Sequence, residues 1–325
     1  MNDVILRTSK LTKTFHSGRG KQQKTVEAVK GVDLEVYKGE IFGFLGPNGA
    51  GKSTTLKMLN TLLAPTSGDA QLVGFDLRKD PQKVRERTGY VSQAGGADVS
   101  CNVIENLVLQ ARLYGIDNAQ AVKKANELVE RFRMTEFATR TARTFSGGQK
   151  RRLDLALGIV HRPPLVFLDE PTTGLDPQSR AYFWEEIVRL KNDGMTIFLT
   201  THYLEEADNL CDRVAIIDHG QIVALDTTDQ LKKQTGGETI ALGFAREIIA
   251  EQAKKALGIL SFIQKIIQQD NKLHLFVHDG GATLPEVLRH LDKENIAAQT
   301  IGLSKPSLDD VFLQKTGRSL REGNE

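Results

Sequence analysis

The spacing of apolar and polar positions predicts an α/β chain with a smaller second unit at its carboxyl end. Short apolar runs at 40–45 and 165–170 are typical of parallel strands buried on both faces. The segments 4–15 and 25–36 alternate instead, as half-buried strands do. From about 102 to 160, apolar residues recur every three or four positions, which predicts helices inserted into the α/β core.

A glycine-rich segment follows the first buried strand and matches G-x-x-x-x-G-K-[ST] without a mismatch. Glycines let backbone N–H groups approach phosphate oxygens, and the start of the next helix adds its dipole. The motif directs Lys52 to the β- and γ-phosphates and the Ser53 hydroxyl to Mg²⁺. We therefore predict a site for ATP and Mg²⁺ built from Gly46, Pro47, Asn48, Gly49, Ala50, Gly51, Lys52, Ser53 and Thr54.

Two carboxylates stand at the end of the apolar strand 165–170. Ligands of parallel sheets bind at the carboxyl ends of the strands, which places both acids at the predicted site. Asp169 is expected to hold Mg²⁺ through water, and Glu170 to accept a proton from the attacking water. The alternative is that Glu170 only caps the loop before Pro171.

A second phosphate-binding helix start is predicted just before that strand. Ser146 is a good N-cap, and Gly147 and Gly148 open the N–H groups at the start of a helix from Gln149 to Val160. The phosphate loop cannot use this helix start by folding back on itself. The sequence therefore favours ATP held between two copies of the chain, the alternative being an ordinary capped helix.

The composition of the chain limits which partners and which classes of function remain. The chain has 325 residues, 40% of them hydrophobic, and a net charge of +2, which gives no reason to expect a nucleic-acid partner. We see no apolar stretch long enough to span a bilayer and no signal-peptide pattern, so a membrane role has to pass through a partner. Cys101 and Cys211 lack metal-ligand spacing and are expected to be buried apolar residues.

The carboxyl-terminal part is predicted to be a separate domain over 236–325, after a first domain over 1–235. Its pattern from 239 to 303 has the order β-α-β-β-α-β, which is typical of a small ferredoxin-like domain. An amphipathic helix at 308–314 is expected to pack on it, and 322–325 is predicted to be disordered. Either a structural or dimer-supporting role, or a role in sensing substrate or regulating the ATPase, fits this domain.

Taken together, these motifs resemble those of the ATP-binding subunits of ABC (ATP-binding cassette) transporters. The resemblance covers about 4–230 and has the family's order: Walker A at 46–54, signature at 145–149 with Phe145 in place of the commoner Leu, Walker B at 165–170, D-loop at 174–176 and switch histidine at 202. It implies a P-loop ATPase fold with a helical subdomain at about 97–162.

The resemblance also implies roles for single residues. Gln93 would contact Mg²⁺ or water and report nucleotide occupancy to a membrane subunit. His202, after the β-rich run 196–201, would contact the γ-phosphate and orient the attacking water. Phe15 would stack on adenine, the alternative being a core aromatic. Asp176 would lie across the dimer seam, where Ser146, Gly147, Gly148 and Gln149 would meet the ATP of the other copy.

Four stretches are similar to the drug-export branch of the daunorubicin-resistance type, namely 149–156, 170–180, 201–208 and 307–313. The stretch 94–102 departs from that branch in a region that normally faces the membrane subunit, which leaves the partner open. The resemblance implies a homodimeric motor at the cytoplasmic face of the membrane that drives a separate permease. A lipid or glycan exporter, an importer, and a non-transport ABC ATPase remain as alternatives.

Overall fold

A computed structural model describes residues 3–17 and 24–320. Most of the basic loop predicted between 17 and 24, and the predicted disordered end at 322–325, lie outside the described residues. The strands are β1 Val4–Ser17, β2 Lys24–Tyr37, β3 Ile41–Leu45, β4 Ser67–Leu72, β5 Phe75–Asp76, β6 Thr88–Val91, β7 Leu165–Asp169, β8 Thr196–Thr201, β9 Arg213–Asp218, β10 Gln221–Thr227, β11 Glu238–Gly243, β12 Ile263–Gln269, β13 Lys272–Val277 and β14 Thr300–Ser304.

The helices connect these strands. They are α1 Lys52–Leu59, α2 Pro81–Arg87, α3 Val103–Leu113, α4 Asn118–Arg131, α5 Gly147–Ile159, α6 Pro177–Asn192, α7 Leu204–Leu210, α8 Thr228–Lys233, α9 Glu247–Leu257, α10 Gly280–Lys293 and α11 Leu308–Thr316.

Five neighbouring strands with the order β9-β3-β8-β7-β6 form the centre of the first unit. The pairs β3–β8, β7–β8 and β6–β7 are parallel, and their carboxyl ends are in register, with Leu45 opposite Thr201 and Asp169 opposite Thr200. Phe198 of β8 lies within 5.4–5.7 Å of three phenylalanine rings on β3 and β7, measured between ring centroids. This buried aromatic layer holds the strand ends at one edge, where the predicted site residues lie.

An antiparallel sheet with the order β2-β1-β4-β5 accompanies the central sheet, and the helices α3, α4 and α5 form the predicted insert between β6 and β7. The predicted α/β class with a helical insert is confirmed. Cys211 is buried, as expected, but the expectation for Cys101 was wrong: it is only partly buried, because it lies in the loop before α3.

The carboxyl-terminal sheet has the order β12-β13-β11-β14, and its three pairings are antiparallel. With α9 after β11 and α10 after β13, this is the ferredoxin-like β-α-β-β-α-β arrangement, so that prediction is also confirmed. Its core joins apolar residues of β11 and β13, such as Ile240 and Leu275, to the apolar stripes of both helices.

The chain divides into two compact units, Met1–Ile222 and Val223–Glu325. This division lies before the boundary expected at 235/236, because α8 packs against α11 and so belongs to the second unit. Sequence patterns left several elements unassigned, among them α6, although Asp176 at its N-cap and Pro177 at its first turn are ordinary start signals. Among the described helices, none combines the length and the apolar character needed to cross a membrane.

Candidate functional site

The phosphate loop lies between the end of β3 and the start of α1. A Cβ atom on Gly46 would lie 2.3 Å from the Ile217 carbonyl oxygen, and one on Gly51 would lie 2.5 Å from that of Ala28. Gly51 also has a φ of 103°, a conformation that other residues rarely adopt. The loop therefore needs glycine at both positions, which keeps its backbone free of side chains where phosphates would bind.

Lys52 turns back over this loop from the first turn of α1. Its Nζ donates to the carbonyl oxygens of Gly46 at 2.7 Å and Pro47 at 3.1 Å, and lies 3.4 Å from Glu170 Oε1. The side chain is only 4% exposed, and this burial lowers the pKa of Lys52, while the charges of Glu170 and Asp169 oppose the shift. The ammonium group is thus held by two backbone carbonyl oxygens and one carboxylate at the place where the motif directs it to phosphate.

Asp169 ends β7 beside Ser53. Its Oδ1 accepts hydrogen bonds from Ser53 Oγ at 3.2 Å and from Thr200 Oγ1 at 2.6 Å. One hydroxyl and one buried carboxylate that meet in this way suit Mg²⁺, which proteins bind through one or two carboxylates together with phosphate oxygens and water. Groups of three or more His, Cys, Asp or Glu that could hold a metal do not occur among the described residues, so Mg²⁺ would depend on this pair and on the nucleotide.

Glu170 is the point where the predicted catalytic residues meet. Gln93 Nε2 donates to Oε2 at 3.2 Å, His202 Nδ1 lies 3.2 Å from the same oxygen, and Lys52 approaches Oε1. The contact with His202 first, and the charge of Lys52 after it, lower the pKa of the Glu170 carboxyl against the effect of burial. The carboxylate therefore stays ionised at neutral pH, which is the state that a proton acceptor needs.

His202 follows β8 and reaches Glu170 from the neighbouring strand end. His202 Nδ1 and Glu170 Oε2 are close enough for an ion pair when the ring is protonated, but they are not aligned for a hydrogen bond. Nδ1 has no hydrogen-bond partner of good geometry among the described residues. The ring of His202 packs on that of Tyr203, with 4.0 Å between the centroids. The histidine thus lies beside the candidate base without being fixed to it.

The signature segment forms a complete capping box. Ser146 Oγ accepts from the Gln149 N–H at 3.3 Å, and Gln149 Oε1 accepts from the Ser146 N–H at 3.1 Å. Gly147 is exposed at the start of α5, where the first N–H groups of a helix have no acceptor within the helix. Within the described ranges, no hydrogen bond or ion pair joins the segment 146–149 to the loop 46–54 of the same chain.

Two further predicted residues lie away from this cluster. Asp176 caps α6, where it accepts from the N–H and the hydroxyl of Ser179. Phe15 on β1 is 40% exposed, with Lys13 Nζ 5.2 Å from its ring centroid. Phe15 is therefore not a core aromatic, and its ring is open to a ligand.

Sequence reasoning gave no role to two buried charged residues. Arg151 on α5 donates to backbone carbonyls around Asp169 and Glu170, and Glu206 on α7 accepts from Thr172 Oγ1 at 2.8 Å. Both belong to runs of like residues, Lys150–Arg152 and Glu205–Glu206, which ordinarily indicate a solvated face. The helical spacing shows that neighbours in each run point to different sides of the helix, but not which of them the fold buries.

Comparisons with known proteins show what the whole chain is similar to. The family model described as "ABC transporter" matches 29–173, and "ATP-binding protein DrrA1-3-like, C-terminal domain" matches 227–316. The chain is 40% identical to the "Daunorubicin resistance ATP-binding protein DrrA3" of Streptomyces coeruleorubidus, over 94% of this chain and 96% of that protein.

It is also 36% identical to the "Nod factor export ATP-binding protein I" of Cupriavidus metallidurans, over 90% of this chain and 94% of that protein. A solved structure described as an ATP-binding subunit of an ABC transporter superposes with a TM-score of 0.61 at 29% identity, and it covers 71% of this chain and 93% of that one. Both the sequence and the fold are thus similar to those of transporter ATP-binding subunits.

Proposed function

Because this chain belongs to the family of ABC transporter ATP-binding proteins, and carries a DrrA-like carboxyl-terminal domain, we propose that it is the ATP-hydrolysing motor subunit of an export complex. The resemblance found in the motifs is thereby confirmed at the level of the family. The observation that carries the proposal is the convergence of Lys52, Gln93 and His202 on the Glu170 carboxylate.

Each residue of that cluster has a task that follows from its position. Lys52 and the loop N–H groups would hold the phosphates, while Ser53 and Asp169 would hold Mg²⁺, which supplies positive charge against the phosphate oxygens. Glu170 would accept a proton from water, and its low pKa keeps it ready to do so. His202 and Gln93 would orient that water, because both point at the oxygen that takes the proton.

A second copy is needed to complete the site in this proposal. The signature helix start is exposed at Gly147, and among the described residues no hydrogen bond or ion pair joins it to the phosphate loop of its own chain. We expect this helix start to bind the γ-phosphate of ATP held by another copy. Asp176, exposed at the start of α6, is then expected at the same seam.

Export through a separate membrane permease is supported by the names of relatives. The relative in Streptomyces coeruleorubidus is named for daunorubicin resistance, which favours efflux of a drug or antibiotic. A second candidate is export of a different class of molecule, favoured by the relative in Cupriavidus metallidurans that is named for Nod factor export. In either case we expect the subunit at the cytoplasmic face, held there by the permease.

The test combines kinetics with capture of the complex. Glu170→Gln should lower ATP turnover by ~100- to 10,000-fold, because the amide cannot accept the proton. Glu205→Gln, a change of the same kind at an exposed position of α7, is the matched control and should leave turnover intact. Unchanged hydrolysis in Glu170→Gln would refute the assigned base.

The same variant can report the partner. A tagged Glu170→Gln chain, expressed in its native host, is purified from gently solubilised membranes in the presence of MgATP, which should hold the dimer closed. Recovery of a polytopic membrane protein in equal ratio supports the transport proposal. Recovery of ribosomes or DNA-processing proteins instead would leave the ATPase assignment standing and refute the transport function.

A further inference from the structure

Arg151 is a buried cation within α5, one turn after the signature glycines. Its side chain is 7% exposed, and its guanidinium group lies among backbone carbonyl oxygens. Nη1 donates to Ser92 at 2.7 Å and Nε to Pro171 at 2.6 Å, while Nη2 donates to Asp169 at 3.2 Å and, less favourably, to Glu170 at 3.4 Å. One side chain thus binds the residue before Gln93 and three successive residues around the candidate base.

Burial of this charge is costly, and it lowers the pKa of Arg151, although the group stays protonated because the nearby carboxylates oppose the shift and the starting value is high. Arginine offers five donors in a planar fork, which suits several carbonyls at fixed angles. Asp154, one turn further along α5, also accepts from the Gly96 N–H at 2.9 Å. The helix that begins with the signature is therefore bound to the segment around Gln93 at two places.

The backbone of Glu170 explains why such binding matters. Its φ is 44°, in the left-handed region that residues with a side chain rarely adopt. A conformation of this kind persists only where the surroundings hold it. Arg151 binds the carbonyls before, at and after Glu170, and Thr200 accepts the Glu170 N–H through its hydroxyl and its carbonyl oxygen at 3.1 Å each.

We propose that Arg151 is a positioning residue for ATP hydrolysis: its bonds to the backbone at Ser92 and at 169–171 hold the Glu170 carboxylate in position and connect that position to the signature helix. The proposal rests on the proposed ATPase function. A movement of α5, such as the arrival of ATP from a second copy would cause, is then transmitted to Gln93 and Glu170 through one guanidinium group. Arg151 itself touches neither the phosphates nor the water.

The test uses the purified full-length chain with Arg151→Lys, Arg151→Ala and the control Arg112→Ala, which removes an exposed arginine from α3. We expect kcat to fall by roughly 10- to 100-fold in Arg151→Ala, the size of effect that a small misplacement of a catalytic group causes. Arg151→Lys keeps the charge but loses the planar fork of donors, so its kcat should fall by an intermediate factor. The equilibrium Kd for ATP should change less than about twofold, since Lys52 and the loop are untouched.

A double-mutant cycle separates positioning from a general loss of structure. If Arg151 acts through Glu170, then Arg151→Lys should lower kcat in the wild-type background and have no further effect in a Glu170→Gln background. Equal losses in both backgrounds, or a wild-type kcat in Arg151→Lys, would overturn the proposal. Should Arg151→Ala fail to fold, Arg151→Lys alone decides the outcome by the same two measurements. Absence of hydrolysis in the wild-type chain would instead refute the ATPase function itself.

Discussion

Replacement of His161 by phenylalanine is expected to make the first unit less sensitive to acid. His161 follows α5 and stacks on Tyr114, with 3.6 Å between the ring centroids and 6° between the ring planes. Its Nε2 lies 3.1 Å from the Thr88 carbonyl oxygen and must be the donor there. The buried Nδ1 then carries no proton and has no hydrogen-bond partner among the described residues. A second proton would place a charge on a site without an acceptor and close to Lys124.

The magnitude follows from the two protonation states. Burial first, and the charge of Lys124 after it, lower the pKa of His161 from 6.5 to about 4 in spite of the bond to Thr88. Between these values the unfolded chain binds more protons than the folded one, so the stability is fully present above the unfolded pKa and is lost as the pH falls towards the folded pKa. For a fully shielded ring the loss at about pH 5 would be about 2 kcal/mol, and solvent screening of this partly exposed ring reduces it to about 1 kcal/mol.

Urea unfolding at about pH 7 and about pH 5, followed by the fluorescence of Trp184, the one tryptophan of the chain, measures this difference. His161→Phe keeps the stack on Tyr114 and removes the titrating group. The variant is expected to be less stable at both pH values because the bond to Thr88 is lost, but the change in its free energy of unfolding between them should be smaller than that of the wild type by about 1 kcal/mol. An identical pH dependence in the two proteins would refute the reasoning.

Three further predictions follow from the site. Phe15→Ala should weaken ATP binding by about 1–3 kcal/mol and Phe15→Tyr should not, if the exposed ring stacks on the base; equal Kd values in equilibrium binding would contradict this. Glu206→Ala removes a carboxyl that is 1% exposed and leaves the buried Thr172 hydroxyl and the partly buried Trp184 N–H without this acceptor, so thermal unfolding should show a loss of about 2 kcal/mol, against a negligible loss for Glu205→Ala. Gly46→Ala drives a methyl group to 2.3 Å from a backbone carbonyl and should abolish ATP binding, whereas Gly302→Ala, with 3.8 Å of clearance, should bind normally.

The sequence was most informative for features that are formed by residues adjacent in the chain. The phosphate loop is a contiguous segment whose glycines, lysine and serine form one motif, so the sequence alone predicts a site at Gly46 to Ser53. The cap at Ser146 is equally local, and the capping box with Gln149 is present in the structure. Periodicity also predicted the carboxyl-terminal order β-α-β-β-α-β, because most of its elements show a buried face in their own pattern, although β14 is exposed along its whole length.

Distances between segments required the tertiary structure. Gln93, Glu170 and His202 end or follow different strands, and their meeting depends on the order β3-β8-β7-β6 and on the registers that align the strand ends. The left-handed backbone of Glu170 is likewise invisible in the sequence, since no glycine marks it. A strand pattern predicts which edge a residue reaches, but not which neighbour stands beside it.

The same limit applies to charge. By itself the sequence predicted a phosphate-binding loop, a capped helix start, two strand-end carboxylates and a two-part chain. Only packing decided that Arg151 and Glu206 are buried while Lys150 and Glu205 beside them are exposed. The reason is physical: the groups that surround a buried charge come from distant segments and are brought together by the fold, as the backbone carbonyl oxygens around Arg151 are.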